Sequence, residues 1–160
     1  MKILVATEKP FAKKAVDGIR QIVEGAGYEL ALLEKYTDKS ELLSAVADVD
    51  ALIIRSDKVT AEVIEAARNL KIVVRAGAGY DNVDLAVATA RGIVVMNTPG
   101  QNSNAVAELA LAMMIFMARN GFTPGTGSEI QGKTLGIHAY GNVGRLVGRK
   151  GKAMGMNVNA

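Results

Sequence analysis

The sequence predicts an α/β fold built on a parallel sheet, and two observations support this class. Five short apolar segments, rich in β-branched residues, alternate with segments whose apolar residues recur at helical spacing. The strand-like segments are apolar almost throughout, which is typical of strands covered by helices on both faces of a parallel sheet. Because 49% of the 160 residues are hydrophobic, the chain has enough apolar side chain to form a packed core.

Strands and helices are predicted in strict alternation from the N-terminus. We expect five strands, at 3–6, 28–33, 51–54, 72–74 and 93–95. Helices are predicted at 11–25, 39–46, 60–67 and 83–90, the third with Thr60 as its N-cap. Residues 1–98 are therefore predicted to form a compact, five-stranded, flavodoxin-like domain. In such sheets the ligand-binding loops lie at the carboxyl ends of the strands.

A long apolar helix and a glycine-rich segment follow the predicted sheet. Because Ala105 to Ala118 is apolar on nearly all sides, we expect a second domain or a second subunit to cover it. The next predicted elements are a connector at 119–132, a strand at 134–138, a helix at 143–154 and a strand from 157 onward. This pattern predicts a linking helix over 99–120 and an incomplete Rossmann (βα) start over 121–160. Gly148 and Gly151 should each weaken the last helix by roughly 1 kcal/mol.

Composition argues against several classes of protein and site. The chain has no Cys and one His, so neither a disulfide nor a thiolate or multi-His metal site is expected. Its 19 basic and 16 acidic residues are interspersed, so no nucleic-acid surface is predicted. The longest apolar stretch contains Glu108 and is too short to span a bilayer. With no signal-peptide pattern at the N-terminus, we expect a cytoplasmic protein without a membrane partner.

Residues 139–144, Ala-Tyr-Gly-Asn-Val-Gly, lie between a predicted strand and a predicted helix. A dinucleotide-binding turn has this context, because its glycines let the backbone approach a pyrophosphate at the helix N-terminus. Ala139 stands where the first glycine belongs, which requires ordinary backbone angles there. No acidic residue follows at the spacing that would select NAD over NADP. A plain βα turn is the alternative interpretation.

An arginine follows each of two predicted strands. Arg55 and Ser56 follow the third strand, and Arg75 follows the fourth in a loop that contains Gly77 and Gly79. Guanidinium groups and exposed backbone N–H groups bind carboxylate and phosphate. These residues would suit a ligand that carries both groups. The alternative is that each arginine ends a strand and pairs with Asp57 or Asp81.

Five ordered segments resemble signatures of the D-2-hydroxyacid dehydrogenase family, and within it the branch that acts on 3-phosphoglycerate. They lie at 53–56, 74–84, 92–100, 104–110 and 132–137. The resemblance implies a substrate domain at 1–98, an NAD-binding Rossmann domain after the long helix, and oxidation of 3-phosphoglycerate to 3-phosphohydroxypyruvate. It also implies a homodimer formed through the helix at 102–118.

The resemblance further implies roles for individual residues. Those expected to contact a small anionic substrate are Arg55, Ser56, Arg75, Ala76, Gly77 and Asn102. Those expected to contact NAD are Ala78, Ala139, Gly141, Asn142, Val143 and Gly144. The catalytic Arg, Glu and His (or Lys) of the family have no counterpart in these 160 residues, and His138 is expected to be structural. We therefore do not expect turnover by this chain alone, and a non-catalytic anion-binding fragment or a self-associating module remains the alternative.

Overall fold

A computed structural model describes all 160 residues and shows an α/β protein. The chain divides into two compact units, Met1–Pro99 and Gly100–Ala160. None of the helices has the length and apolar content that crossing a bilayer requires.

The first unit is a five-stranded parallel sheet with four helices. Its strands are β1 (Lys2–Thr7), β2 (Glu29–Glu34), β3 (Ala51–Ile54), β4 (Ile72–Arg75) and β5 (Val94–Asn97). Its helices are α1 (Lys13–Gly25), α2 (Lys39–Ala45), α3 (Ala61–Ala66) and α4 (Leu85–Ala90). All neighbouring strands are parallel, in the spatial order β2-β1-β3-β4-β5. The flavodoxin-like α/β class predicted for this part of the chain is confirmed.

The main hydrophobic core lies on one face of this sheet. Leu4, Leu52 and Val73 project from adjacent strands into a buried cluster with side chains of α2, α3 and α4. On the other face of the sheet, Val5 is fully buried. Val16 and Val23 of α1 are also buried, at 9% and 7% exposed. That face is open along β5, where Val94 and Met96 are 55% and 52% exposed. Coverage on both faces, expected for every strand, therefore does not extend to β5.

The N-termini of α2 and α3 differ in whether a side chain caps them. At α2, Asp38 accepts a hydrogen bond from the Ser40 N–H, and the Glu41 carboxylate accepts one from the Asp38 N–H, which forms a capping box. At α3, Thr60 occupies the N-cap position but makes no capping hydrogen bond. The predicted position of the Thr60 cap is thus correct, but its hydroxyl is buried without a partner.

The second unit contains a long helix and a βαβ arrangement. Its elements are α5 (Ser103–Ala118), a short 3₁₀ turn (Asn120–Phe122), β6 (Thr134–Gly136), α6 (Asn142–Ala153) and β7 (Asn157–Asn159). Strands β6 and β7 pair in parallel, so the crossover through α6 completes one βαβ unit. Helix α5 lies against α6, where Lys150 Nζ is 3.4 Å from Glu108 Oε1.

Glycines on one face of α6 have a packing role that the helix-propensity argument missed. A Cβ at Gly148 would lie 2.9 Å from the Tyr140 hydroxyl, and one at Gly151 would lie 3.1 Å from Leu135 Cδ2. Both residues are buried. Their lower helix propensity is therefore offset by the close approach of α6 to the segment around β6 that they permit.

Candidate functional site

The carboxyl ends of β3 and β4 bring the two predicted substrate arginines together. Arg75 Nε donates a hydrogen bond to the backbone carbonyl of Arg55, at 2.8 Å. The Ala76 N–H donates to the Ile54 carbonyl at 2.8 Å, which extends the pairing of the two strands by one residue. Neither arginine forms an ion pair with an acidic residue, so the alternative pairing with Asp57 or Asp81 is not what the structure shows.

Asp57 instead organises the backbone around the first arginine. Its Oδ1 accepts hydrogen bonds from the Glu8 N–H at 2.8 Å and from the Tyr36 hydroxyl at 2.9 Å. Its Oδ2 accepts a longer bond of 3.3 Å from the Arg55 N–H. Burial and the neighbouring Asp57 carboxylate raise the pKa of Tyr36 well above its usual range. The phenol therefore stays protonated and donates to Asp57.

The loop after β4 offers backbone donors beside Arg75. The Gly77 N–H donates to the Arg75 carbonyl at 2.8 Å, whereas the N–H groups of Ala78 and Gly79 have no acceptor within the chain. A Cβ at Gly77 would overlap the Arg75 guanidinium. Glycine is thus needed at 77 to accommodate the arginine side chain, and the free donors for an anion come from Ala78 and Gly79.

Two residues that the sequence did not single out hold this loop in place. Asn97 Nδ2 donates to the Ala78 carbonyl at 2.6 Å, and the Thr98 N–H donates to the Gly77 carbonyl at 2.9 Å. Both carbonyls are thereby turned toward β5, away from the donors that the loop presents. The available signal was position, because Asn97 and Thr98 lie at the carboxyl end of β5.

The remaining predicted substrate residues lie in two different units. Ser56 is exposed directly after Arg55, and Ala76 is half-buried after Arg75. Asn102 belongs to the second unit, where it occupies the N-cap position of α5, exposed and without a capping hydrogen bond. The Asn102 side chain therefore remains free.

The glycine-rich turn joins β6 to α6, as the dinucleotide-binding pattern requires. Gly141 is the N-cap of α6, and a Cβ there would meet no atom within 4 Å. The backbone N–H groups of Asn142, Val143 and Gly144 have no acceptor within the chain. A Cβ at Gly144 would overlap the Ala139 carbonyl oxygen, so this glycine permits close packing of the turn on the helix. An open approach and free N–H groups are the features that a pyrophosphate needs.

The backbone of Ala139 departs from the prediction. Its φ is +76°, in the left-handed region that favours glycine. The assumption of ordinary backbone angles at this position is therefore wrong. The turn keeps the conformation that a first glycine would adopt, although the residue has a Cβ. His138, one position earlier, is exposed and makes no hydrogen bond.

Comparison with known proteins assigns a family to this combination of a parallel-sheet unit and a glycine-turn unit. Residues 4–154 match the model for the D-isomer specific 2-hydroxyacid dehydrogenase, catalytic domain. The chain belongs to the D-isomer-specific 2-hydroxyacid dehydrogenase family. The NAD⁺-bound structure of 3-phosphoglycerate dehydrogenase from Entamoeba histolytica is similar, with a TM-score of 0.94 and 52% identity. That match covers 99% of this chain and 53% of the E. histolytica chain.

Characterised relatives carry two related names. Hydroxypyruvate reductase of Thermotoga maritima is 41% identical over 146 residues, covering 82% of this chain and 48% of that enzyme. D-3-phosphoglycerate dehydrogenase of Archaeoglobus fulgidus is 41% identical over 174 residues, covering 100% of this chain and 32% of that enzyme. The chain thus spans between about a third and a half of the length of these relatives.

Proposed function

We propose that this chain provides the substrate domain and part of the NAD-binding domain of an enzyme that oxidises 3-phosphoglycerate to 3-phosphohydroxypyruvate. The observation that carries the proposal is the joining of Arg55 and Arg75 at one sheet edge, beside the free N–H groups of Ala78 and Gly79. Similarity to proteins named for this activity supports it. Another relative is named after hydroxypyruvate, which differs from 3-phosphohydroxypyruvate in lacking the phosphate group.

The proposed substrate has two anionic groups at opposite ends of a short chain. Two arginines that are not neutralised by acidic residues can bind both, because a guanidinium makes paired hydrogen bonds to carboxylate or phosphate. We assign the substrate contacts to Arg55, Ser56, Arg75, Ala76, Gly77 and Asn102. The segment from Arg75 to Gly79 would hold the carboxylate and orient the C2 hydroxyl.

The turn before α6 fits the pyrophosphate of NAD. Gly141 leaves the approach open, and the N–H groups of Asn142, Val143 and Gly144 would donate to the phosphate oxygens. Ala139 forms the start of that turn, and Ala78 is assigned to the nicotinamide end by family resemblance. When bound, NAD accepts the hydride from C2. The residues of this chain would bind and orient the substrate, and by family resemblance none of them is the proton-accepting base.

Calorimetric titration of the chain with 3-phosphoglycerate tests the substrate assignment. Arg55→Ala and Arg75→Ala should each weaken binding about tenfold or more, since a charge-assisted pair contributes roughly 1.5–3 kcal/mol. Arg68→Ala, which removes an exposed arginine outside the site, should leave affinity unchanged. Loss of binding in all three variants alike, or in none, would remove the arginine assignment.

Two further measurements separate the proposal from its alternative. A steady-state assay with 3-phosphoglycerate and NAD should show no turnover by the isolated chain, because base catalysis alone contributes orders of magnitude. Titration with inorganic phosphate should give much weaker binding than 3-phosphoglycerate. Equal affinities for the two would favour a generic anion-binding fragment.

The exposed face of α5 supports a homodimer formed through the helix at 102–118. Leu109, Met113 and Met117 recur at helical spacing and are 61%, 59% and 74% exposed. An apolar stripe of this kind on a free surface is typical of a protein interface. Light scattering should show a dimer that Met113→Glu dissociates. Ile22→Glu, which changes an apolar residue of α1 that is 75% exposed, should leave the dimer intact.

A further inference from the structure

The side chain of Asn97 makes its hydrogen bond to the loop that follows β4. Its Nδ2 donates to the Ala78 carbonyl at 2.6 Å. Asn97 is the last residue of β5 and the register partner of Arg75 on the neighbouring strand β4. The asparagine therefore lies beside one of the two proposed substrate arginines and is bonded to the loop that offers free N–H groups.

Two hydrogen bonds from the end of β5 fix the direction of two successive peptide planes in this loop. No peptide bond of the chain is cis, so each carbonyl points opposite to the N–H of the residue that follows. The Thr98 N–H holds the Gly77 carbonyl at 2.9 Å, which directs the Ala78 N–H away from β5. The Asn97 amide holds the Ala78 carbonyl, which directs the Gly79 N–H in the same way. Each free donor of the loop is thus oriented by its own hydrogen bond.

The orientation of these N–H groups before a ligand arrives decides how well they bind an anion. A loop whose peptide planes rotate freely must lose that freedom on binding, and the loss lowers the affinity. Two of the three residues at 77–79 are glycine, which restricts the backbone least. The restriction therefore comes from Asn97 and Thr98, and only Asn97 supplies it through a side chain that a substitution can remove.

A neutral amide suits this position better than a charged side chain would. An ammonium group could donate to the Ala78 carbonyl, but its charge would compete with Arg75 for the carboxylate of a ligand. A carboxylate has no proton to donate, and it would repel the Ala78 carbonyl oxygen. Asn97 is also half-buried, where an unpaired charge is costly. The asparagine therefore supplies a donor without adding a charge beside the arginine.

We propose that Asn97 is a positioning residue for the carboxylate of the substrate, an inference that rests on the dehydrogenase function proposed above. Asn97 acts through the peptide between Ala78 and Gly79, whose N–H donates to a carboxylate oxygen. The Ala78 N–H and the Arg75 guanidinium complete the contact with this group. The phosphate is at the other end of the same ligand and does not depend on this peptide. Loss of the Asn97 amide should therefore weaken recognition of the carboxylate selectively.

The test is an NMR titration of the chain with 3-phosphoglycerate and with two fragments of it. D-Glycerate keeps the carboxylate without the phosphate, and glycerol 3-phosphate keeps the phosphate without the carboxylate. Asn97→Leu should weaken binding of 3-phosphoglycerate and D-glycerate by roughly three- to tenfold, the effect of one hydrogen bond, and should leave glycerol 3-phosphate unchanged. Equal weakening of all three ligands, which a general loss of structure would cause, would overturn the proposal. Unchanged binding of D-glycerate would also overturn it.

Asn157→Leu is the matched control, because Asn157 Nδ2 likewise donates to a backbone carbonyl, that of Gly132 in the second unit, at 3.1 Å. This variant should bind all three ligands as the unaltered chain does.

A second measurement needs no variant and therefore does not depend on how Asn97→Leu folds. In the unaltered chain, D-glycerate should shift the amide resonances of Ala78 and Gly79. Binding of D-glycerate without a shift of the Gly79 amide would overturn the proposal. If 3-phosphoglycerate binds no more tightly than D-glycerate, the proposed substrate is wrong, whereas a selective effect of Asn97→Leu on D-glycerate still supports the positioning role.

Discussion

Replacing Ala139 with glycine should stabilise the second unit. Ala139 has a φ of +76°, and a left-handed conformation costs a residue with a Cβ about 1–2 kcal/mol. Glycine removes this cost, but it has more conformational freedom in the unfolded chain. That freedom lowers the gain in unfolding free energy by roughly 0.5–1 kcal/mol. The expected net gain in unfolding free energy is about 0.5–1 kcal/mol. For a small domain this corresponds to a rise in Tm of roughly 2–8 °C.

The measurement is a thermal melt by calorimetry, in which the transition of the second unit is followed. Ala112→Gly is the matched control, because Ala112 is an exposed residue in the middle of α5 with helical backbone. There the same chemical change should lower stability by about 1 kcal/mol. If Ala139→Gly lowers Tm as much as Ala112→Gly does, the left-handed backbone at 139 is refuted.

Three further outcomes follow from the geometry. Gly77→Ala should displace the Arg75 guanidinium and weaken 3-phosphoglycerate binding, and it should have little further effect on top of Arg75→Ala. Gly141→Ala should leave Tm almost unchanged, since φ is −81° and no atom lies near the new Cβ, yet it should lower NAD affinity in a binding titration. Tyr36→Phe should reduce the loss of stability above pH 10, in melts recorded across the alkaline range.

The sign of the Tyr36 effect follows from the raised pKa in the folded state. Below the ordinary tyrosine pKa of about 10, both the folded and the unfolded chain hold the proton. As pH rises above that value, the unfolded chain loses its proton first, so stability falls. Tyr80→Phe is the control because Tyr80 is 51% exposed, and it should keep the alkaline loss. Identical pH profiles for the two variants would contradict the assignment. The Gly77→Ala prediction has its own contrary outcome. If Gly77→Ala weakens 3-phosphoglycerate binding as much in the Arg75→Ala variant as in the unaltered chain, displacement of the Arg75 guanidinium is not the cause.

Much of the fold could be predicted because its signals are local. The strand at 51–54 was predicted with the bounds that the structure shows, and helix α2 was predicted within one residue. The fifth strand was predicted at 93–95 but spans Val94–Asn97, because its last residues are defined by pairing with β4 and not by apolar character. Periodicity specifies which residues are strand or helix, while strand ends depend on the neighbouring strand.

The candidate site was predicted less completely, because much of it depends on tertiary contacts. Because Arg55 and Arg75 each follow a predicted strand, the sequence predicted that they lie at the same edge of the sheet. The hydrogen bond between them also requires β3 and β4 to be adjacent. The sequence indicated that the Gly77 N–H would be a free donor. In the structure it donates a hydrogen bond to the Arg75 carbonyl. Asn97 anchors that loop from a strand nineteen residues away, a contact that no local pattern contains.

The sequence by itself determined the alternation of strands and helices, the glycine-rich turn and the charged residues at strand ends. These features depend on side-chain type and on contacts between residues close along the chain. The tertiary structure alone decided the strand order, the partners of Asp57, the left-handed backbone of Ala139 and the close packing at Gly148 and Gly151. Each of these depends on which distant segments are adjacent, because hydrogen bonds and steric overlap act only over a few ångströms in space.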